Sequence, residues 1–424
     1  MNNFFYISFF LGSVLTFAQA PVNDEKLELK LEDISKHVIA NLSEIRNSEL
    51  RIEQSEINKE LRLSNFKTQG NIQAGYDNLV DGDNSMAFGF QLDEDERISS
   101  SFQVSQYLYG FGRKKWATEQ GMAEINLSRL QNSMMIRDLT FKARINFWTH
   151  IFEKAGLNIA KERLKLAEEE ESDTESLFEA GTLSKVDVLQ TRVSKMQAKN
   201  TTKSQSSRLK KSMHELASSI GKVHAQIVSS TELTPPKNIE KLFVEVRAML
   251  DQSLDIAIFK AESKISQTRI EQTQSEYLPE LYGSASAGVV GPSTDDLEEG
   301  WLLGLTLNWA ILDGKQRDNK ALFETKNILA NDFSIKAEIR ERNRIYQQLW
   351  ADWESLTEQI SNERDALEYA EENYEIAREQ YRAGLLTLLQ VSDVNLQLVE
   401  SRFRLLSIIY EMQILHENLL YLKQ

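Results

Sequence analysis

Residues 369–384 read YAEENYEIAREQYRAG, and 203 positions earlier residues 166–181 read LAEEEESDTESLFEAG. In that register Ala167/Ala370, Glu168/Glu371, Glu169/Glu372, Ala180/Ala383 and Gly181/Gly384 coincide without a gap, and Leu183/Leu386 and Val188/Val391 continue it. Upstream, YLYGFGRKK (107–115) faces NWAILDGKQ (309–317) at an offset of 202, which aligns Gly112 with Gly314. The chain therefore reads as a tandem duplication of one supersecondary unit. The first repeat spans 19–231, a linker around Thr234-Pro235-Pro236 spans 232–240, and the second repeat spans 241–424.

Around these motifs the helix breakers are missing. No proline occurs from Val22 to Thr234, and 315–424 holds a single glycine, Gly384. The periodicity predicts long helices over 112–180 and 315–383, followed by helices over 182–220 and 385–422. At 1.5 Å per residue each long helix measures roughly 100 Å. Gly181 and Gly384 suit the left-handed position that ends a helix, and Ser184 and Thr387 can cap the next one. Asp187 lies six residues past Gly181, too far along for strong help from the helix dipole. The last helix carries Leu405, Ile408, Met412, Leu415, Leu419 and Leu422, a coiled-coil seam beside a second stripe, Leu406 and Ile409. The acidic run Glu168–Glu171 reads as a solvated helix face.

Between helices the period drops to two. In WLLGLTLNW (301–309), Trp301, Leu303, Leu305, Leu307 and Trp309 alternate with smaller or more polar residues. Eight steps of strand separate the tryptophans by about 26 Å, close to the apolar band of an outer-membrane barrel. Its partner is 281–290, with 291–300 (GPSTDDLEEG) as a polar loop between them. The first repeat offers a strand pair within about 70–109. There 70–78 is taken as the strand paired with 101–108, and 86–92 as an outward extension of the hairpin. Four strands cannot close a barrel, so strands that span must be joined by those of further copies. Two copies give eight strands and three give twelve, of which the larger leaves an appreciable lumen.

The address agrees with export. Residues 4–18 are apolar and uncharged, the core of a signal peptide over 1–18, with Thr16 and Ala18 placed for cleavage after Ala18. No later segment is apolar for about 20 residues, as a membrane-spanning helix requires. With 64 acids against 49 bases the net charge is -15, which disfavours nucleic acid as a partner. The absence of cysteine excludes disulfides and thiolate chemistry. His37, His150, His214, His224 and His416 lack ligand spacing, and no phosphate loop or nucleophile motif occurs, so neither enzyme nor cofactor is expected.

Over essentially the whole mature chain the sequence resembles the TolC-type outer membrane efflux proteins (outer membrane factors). The residues that carry this are the duplication, YLPEL (277–281), WAILDGKQ (309–316), LFEAGTLSKVDVLQTR (177–192) and QYRAGLLTLLQVSDV (380–394). The resemblance implies a mainly α protein with a small transmembrane β part. Duplicated long-helix hairpins would form a trimeric α-barrel tunnel, topped by a 12-stranded β-barrel to which each chain gives four strands. It implies a channel-tunnel of a tripartite efflux or type I secretion system, in the outer membrane with most of the chain in the periplasm. The implied partners are two further copies, outer-membrane lipid, a periplasmic adaptor (membrane fusion protein) and an inner-membrane pump of RND or ABC type. By position the resemblance places Asp187, Tyr381, Gln390 and Asp393 at a gated periplasmic entrance, with an Asp187–Tyr381 bond and Lys185 as a candidate basic partner. Relatives carry a basic residue where this chain has Leu386. They carry paired acids at the positions of Gln390 and Asp393, so one carboxylate ring is kept and one is neutral. Adaptor contact would fall on Gly181, Thr182, Leu183, Ser184, Gly384, Leu385, Leu386 and Thr387, and the membrane girdle on Trp301 and Trp309. The rival reading is a soluble periplasmic coiled-coil scaffold or adaptor protein.

Overall fold

The computed structural model describes residues 26–78, 85–87, 90–92 and 96–424. The expected signal peptide, 1–18, lies outside the described residues. The first repeat runs β1 (Lys26–Glu28), α1 (Ile34–Asn41), α2 (Ser43–Ser64), β2 (Gln69–Asn78), β3 (Ser85–Ala87), β4 (Phe90–Leu92), β5 (Glu96–Tyr109), α3 (Arg113–Glu179) and α4 (Lys185–Ser219). The second runs β6 (Gln226–Val228), α5 (Ile239–Arg247), α6 (Leu254–Ser275), β7 (Glu280–Ser293), β8 (Asp296–Asn308), α7 (Gln316–Arg382) and α8 (Leu388–Lys423). The long helices α3 and α7 are each 67 residues, and α2 and α6 are each 22. β1 and β6 pair with each other in parallel, Lys26 opposite Gln226.

The offset of 203 holds where the sequence suggested 202. Both long helices follow two consecutive left-handed residues, Phe111-Gly112 (φ 49° and 95°) and Gly314-Lys315 (φ 61° and 68°). Glycine takes the second place in one copy and the first in the other, so aligning the glycines slips the register by one. Two arginines then fasten sheet to helix. Arg113 donates to the Leu278 carbonyl at 2.8 Å and pairs with Glu280. Arg317 donates to the Glu276 carbonyl at 2.8 Å, pairs with Asp313 at 2.6 Å and lies over the Tyr277 ring.

One core fills each repeat midway along its long helix. In the first, Ile34, Val38, Phe147, Ile151, Leu216 and Ile220 meet beneath the β1–β6 pair. In the second, Phe243, Val246, Trp353, Leu356, Ile408, Met412, Leu415, Leu419 and Leu422 meet, which buries the expected seam of the last helix. Leu216 and Leu419, 203 apart, are both fully buried. Polar clasps close this waist. Glu417, 1% exposed, takes two hydrogen bonds from Arg144 and one from the Trp148 indole at 3.0 Å. The buried Arg342 donates to the Leu250 carbonyl at 3.1 Å and to that of Leu422.

The main sheet has strand order β2-β5-β7-β8, every pair antiparallel. The β5–β7 pairing joins the two repeats, a link that pairing within each repeat does not predict. Within 86–92, read as an outward extension of the hairpin, the described residues of β3 and β4 pair antiparallel, Met86 opposite Gln91. The segment 291–300 is not a loop: the strands run on to Ser293 and Asp296, with a register shift after Val290. Alternation of apolar residues on β8 stops at Trp301 because Asp296, Glu298, Glu299 and Gly300 precede it, whereas backbone pairing needs no apolar face.

Register sorts the sheet into two faces. Rows across the strands read Ile72–Phe102–Ala287–Trp301 and Gly70–Val104–Ala285–Leu303, and Leu305 and Leu307 extend this apolar face. The opposite face reads Asn71–Gln103–Ser286–Leu302 and Gln69–Ser105–Ser284–Gly304, apart from Leu302 small or uncharged polar. Trp301, Ile72 and Leu305 are each about three quarters exposed. Trp309 falls just past β8, where its indole donates to the Tyr277 carbonyl at 3.0 Å. It therefore anchors the strand–helix junction as well as closing the apolar face.

Candidate functional site at the helical hairpin turns

The two turns between long and short helices share one construction. α3 ends in a Schellman motif: the Gly181 N–H bonds the Phe178 carbonyl and the Thr182 N–H that of Leu177, both at 3.0 Å. α7 ends identically, Gly384 to Tyr381 at 2.9 Å and Leu385 to Gln380 at 2.8 Å. Gly181 (φ 78°) and Gly384 (φ 74°) occupy the left-handed position, and space is open where a side chain would project. Ser184 and Thr387 are the N-caps of α4 and α8.

Each cap is reciprocal. The Asp187 carboxylate accepts from the Ser184 N–H at 2.9 Å and its hydroxyl at 2.7 Å. The Gln390 side-chain oxygen accepts from the Thr387 N–H and hydroxyl, both at 2.9 Å. Asp187 and Gln390 are thus equivalent residues of two capping boxes. The Ser184 hydrogen bonds hold the Asp187 carboxyl below its usual range. Ser184→Ala and Thr387→Ala should each cost about 1 kcal/mol at the turn. The check is faster amide hydrogen exchange in the first turn of α4 or α8 alone. Unchanged exchange there would contradict the box.

The expected Asp187–Tyr381 bond is replaced by another. With the carboxylate occupied at Ser184, the buried Tyr381 hydroxyl instead meets the Thr174 hydroxyl at 2.8 Å. Lys185 does not stand in as a basic partner; its ammonium lies over the Phe178 ring, 5.4 Å from its centre. Leu386 is half-buried and packs with Leu183 against the cluster of Tyr381, Leu388 and Val391. Asp393 is exposed and lines a groove with Val186, Leu189 and Leu396. Thr182 and Leu385 are exposed at the turns, and Val186, Leu189 and Leu389 leave an apolar set uncovered beside them.

What binds the two hairpins together lies one to three turns behind the tips. On α3, Glu169 and Asp173 are four residues apart; on α7, Arg378 and Arg382 are four apart. They pair as Glu169–Arg378 at 2.5 Å and Asp173–Arg382 at 3.0 Å. A constant difference of 209 is what parallel neighbouring helices give. Arg402 on α8 extends the ladder to Glu162 at 2.7 Å. The acidic run is therefore not a solvated face. Glu171 pairs with Lys195 at 2.8 Å, and Glu170 is 5% exposed. Periodicity could have found it: Leu166, Glu170, Thr174 and Leu177 fall on one helical stripe, and both leucines pack into the tip core.

No cluster of three or more His, Asp or Glu is placed to hold a metal among the described residues. Nor is any described helix long and apolar enough to cross a membrane.

The model of the outer membrane efflux protein family matches residues 246–422, which is nearly the whole second repeat. No curated protein matches the chain. Among solved structures, CusC superposes with a TM-score of 0.75 at 15% identity, covering 96% of this chain and 95% of that one. The outer membrane protein VceC of Vibrio cholerae gives 0.75 at 12% identity, covering 93% and 95%. The outer membrane channel CmeC of Campylobacter jejuni gives 0.73 at 12%, covering 93% and 85%. The chain thus has, over nearly its full length, the long-helix tunnel and β-barrel fold of the outer-membrane efflux channels. By sequence, residues 246–422 are similar to that family, in agreement with the resemblance drawn from the motifs.

Proposed function

We propose that the chain is one third of an outer-membrane channel-tunnel, a homotrimer that conducts substrates from an inner-membrane pump and a periplasmic adaptor to the cell exterior. The observation that carries this reading is the sheet. One face carries Ile72, Phe102, Val104, Leu303, Leu305 and Leu307, interrupted at Gln106; the opposite face is mostly Ser, Gln, Asn and Gly apart from Leu302, and among the described residues the sheet's edges β2 and β8 have a strand on one side only. In lipid each unpaired edge group would cost several kcal/mol, so the edges must be filled. β2 and β8 run antiparallel to each other across the four-stranded order, so β8 of one copy can pair with β2 of the next and keep the pattern all round. The helices leading to those edges carry apolar residues to match. Ile57 and Leu61 on α2, and Leu322, Phe323 and Phe333 on α7, are all exposed in the single chain.

The helical part lies in the periplasm, and its capped turns point away from the barrel, where an adaptor would meet Gly181–Ser184 and Gly384–Thr387. The exposed apolar set beside the turns supports that docking, and the ladder behind them supports a gated entrance near Asp187, Tyr381, Gln390 and Asp393. The pump, of RND or ABC type, selects the cargo. A soluble scaffold would leave the apolar sheet face in water.

The cysteine-free chain allows a direct test of closure. Paired cysteines, one replacing Asn71 or Gln73 on β2 and one replacing Leu302, Gly304 or Thr306 on β8, should cross-link between chains on oxidation. The ladder should end at three chains. Failure of every pair to link chains, in protein from the outer-membrane fraction, would contradict barrel closure by these edges.

A further inference from the structure

Glu170 stands in the tip core without a counter-ion. Its Oε1 accepts from the Asn395 amide on α8 at 2.5 Å and from the Tyr374 hydroxyl on α7 at 3.4 Å. The surrounding charges are committed elsewhere or act at a distance. Arg378 on α7 is engaged by Glu169, and Arg163 on α3 stays beyond ion-pair reach. Lys195 and Arg192 on α4 are held by Glu171 and Glu175. On α8 the facing charge is Asp393, itself an acid at the mouth of the same groove. Tyr381 on α7 is turned to Thr174. The Asn395 amide oxygen is buried and has no hydrogen-bond partner. A carboxylate adds one more acceptor to that site, while a neutral carboxylic acid brings the donor that the amide oxygen lacks.

We propose that Glu170 is a proton-operated latch between the two hairpins of one chain: as a neutral acid it stays packed against Asn395 and Tyr374, and when it ionises it drives the hairpins apart. Separation would let water reach a charge that the packed core cannot solvate. Burial pushes the Glu170 carboxyl above its ordinary value of 4.5, against the pull of the Asn395 and Tyr374 hydrogen bonds. The packed arrangement thus holds the proton more tightly than the separated one. Both are protonated below 4.5. As pH rises from there through the raised value, the packed arrangement loses stability relative to the separated one.

The proposal rests on the reading of the hairpin turns as a channel entrance, so the test measures latch and channel separately. Spin labels on Thr182→Cys and Leu385→Cys report the distance between tips in the assembled, detergent-extracted protein. The distance distribution should lengthen as the pH is raised in the native background and stay short throughout in Glu170→Gln. Tyr374→Phe removes a donor to the charged form, so its transition should move to higher pH; this variant decides the matter if Glu170→Gln does not assemble. A distance that ignores pH, lengthens on acidification, or keeps its pH dependence in Glu170→Gln overturns the latch. Bilayer conductance measured in parallel is independent of it: no conductance at any pH would sink the channel reading and leave the distance result standing.

Discussion

Leu305→Arg is expected to remove the protein from the outer membrane. Leu305 lies on β8 midway between Trp301 and Trp309, on the apolar face, 74% exposed in the single chain. A lipid-facing arginine near the bilayer midplane costs about 2–4 kcal/mol in a β-barrel. A trimer would meet that cost three times, roughly 6–12 kcal/mol in all. Thr306→Lys, the adjacent position on the other face, is the control. Its side chain would face the lumen, so assembly should survive. The readout is the amount of oligomer extracted from the outer-membrane fraction. Equal loss in both variants would show that the two faces do not differ, and the barrel reading would fail with them.

The second large effect is expected at the turn. Gly384→Trp should abolish export while the oligomer still assembles. At φ 74° an L side chain is strained by roughly 1–2 kcal/mol, confined to the tip. A Cβ there would meet no atom within 4 Å beyond the adjoining residues, so the side chain starts into open space, where an adaptor backbone would approach. Gly384→Ala carries the same strain with little bulk and should keep most export. Comparison of substrate accumulation in the two strains separates docking from strain. Loss of the oligomer in Gly384→Trp would mean that the glycine serves the fold alone.

The repeated parts of the molecule were legible because duplication prints each signal twice. Gly181 and Gly384, with Ser184 and Thr387 three residues on, mark the turns in any helical reading. The alternation from Trp301 to Leu307 marks a two-faced strand. What escaped was tertiary or ambiguous. Ser184-x-x-Asp187 and Thr387-x-x-Gln390 have the spacing of a capping box. Resemblance paired Asp187 with Tyr381, whereas the Asp187 carboxylate accepts from Ser184 and the Tyr381 hydroxyl meets Thr174. Glu170 hid inside a run of four acids, although Leu166 and Leu177 on its stripe point into the core. The pairing of β5 with β7 crosses between repeats, and no local pattern announces a partner that far along the chain. The end of the β7–β8 hairpin was missed because polar residues there satisfy the backbone ladder without an apolar face.

Mass decides the central claim most directly. Protein extracted with detergent from the outer-membrane fraction, measured by light scattering with detergent mass subtracted, should contain three chains per particle. That result fits twelve strands closed by the β2 and β8 edges. A particle of one or two chains that stays soluble without detergent would contradict the channel and leave a periplasmic coiled-coil scaffold in its place.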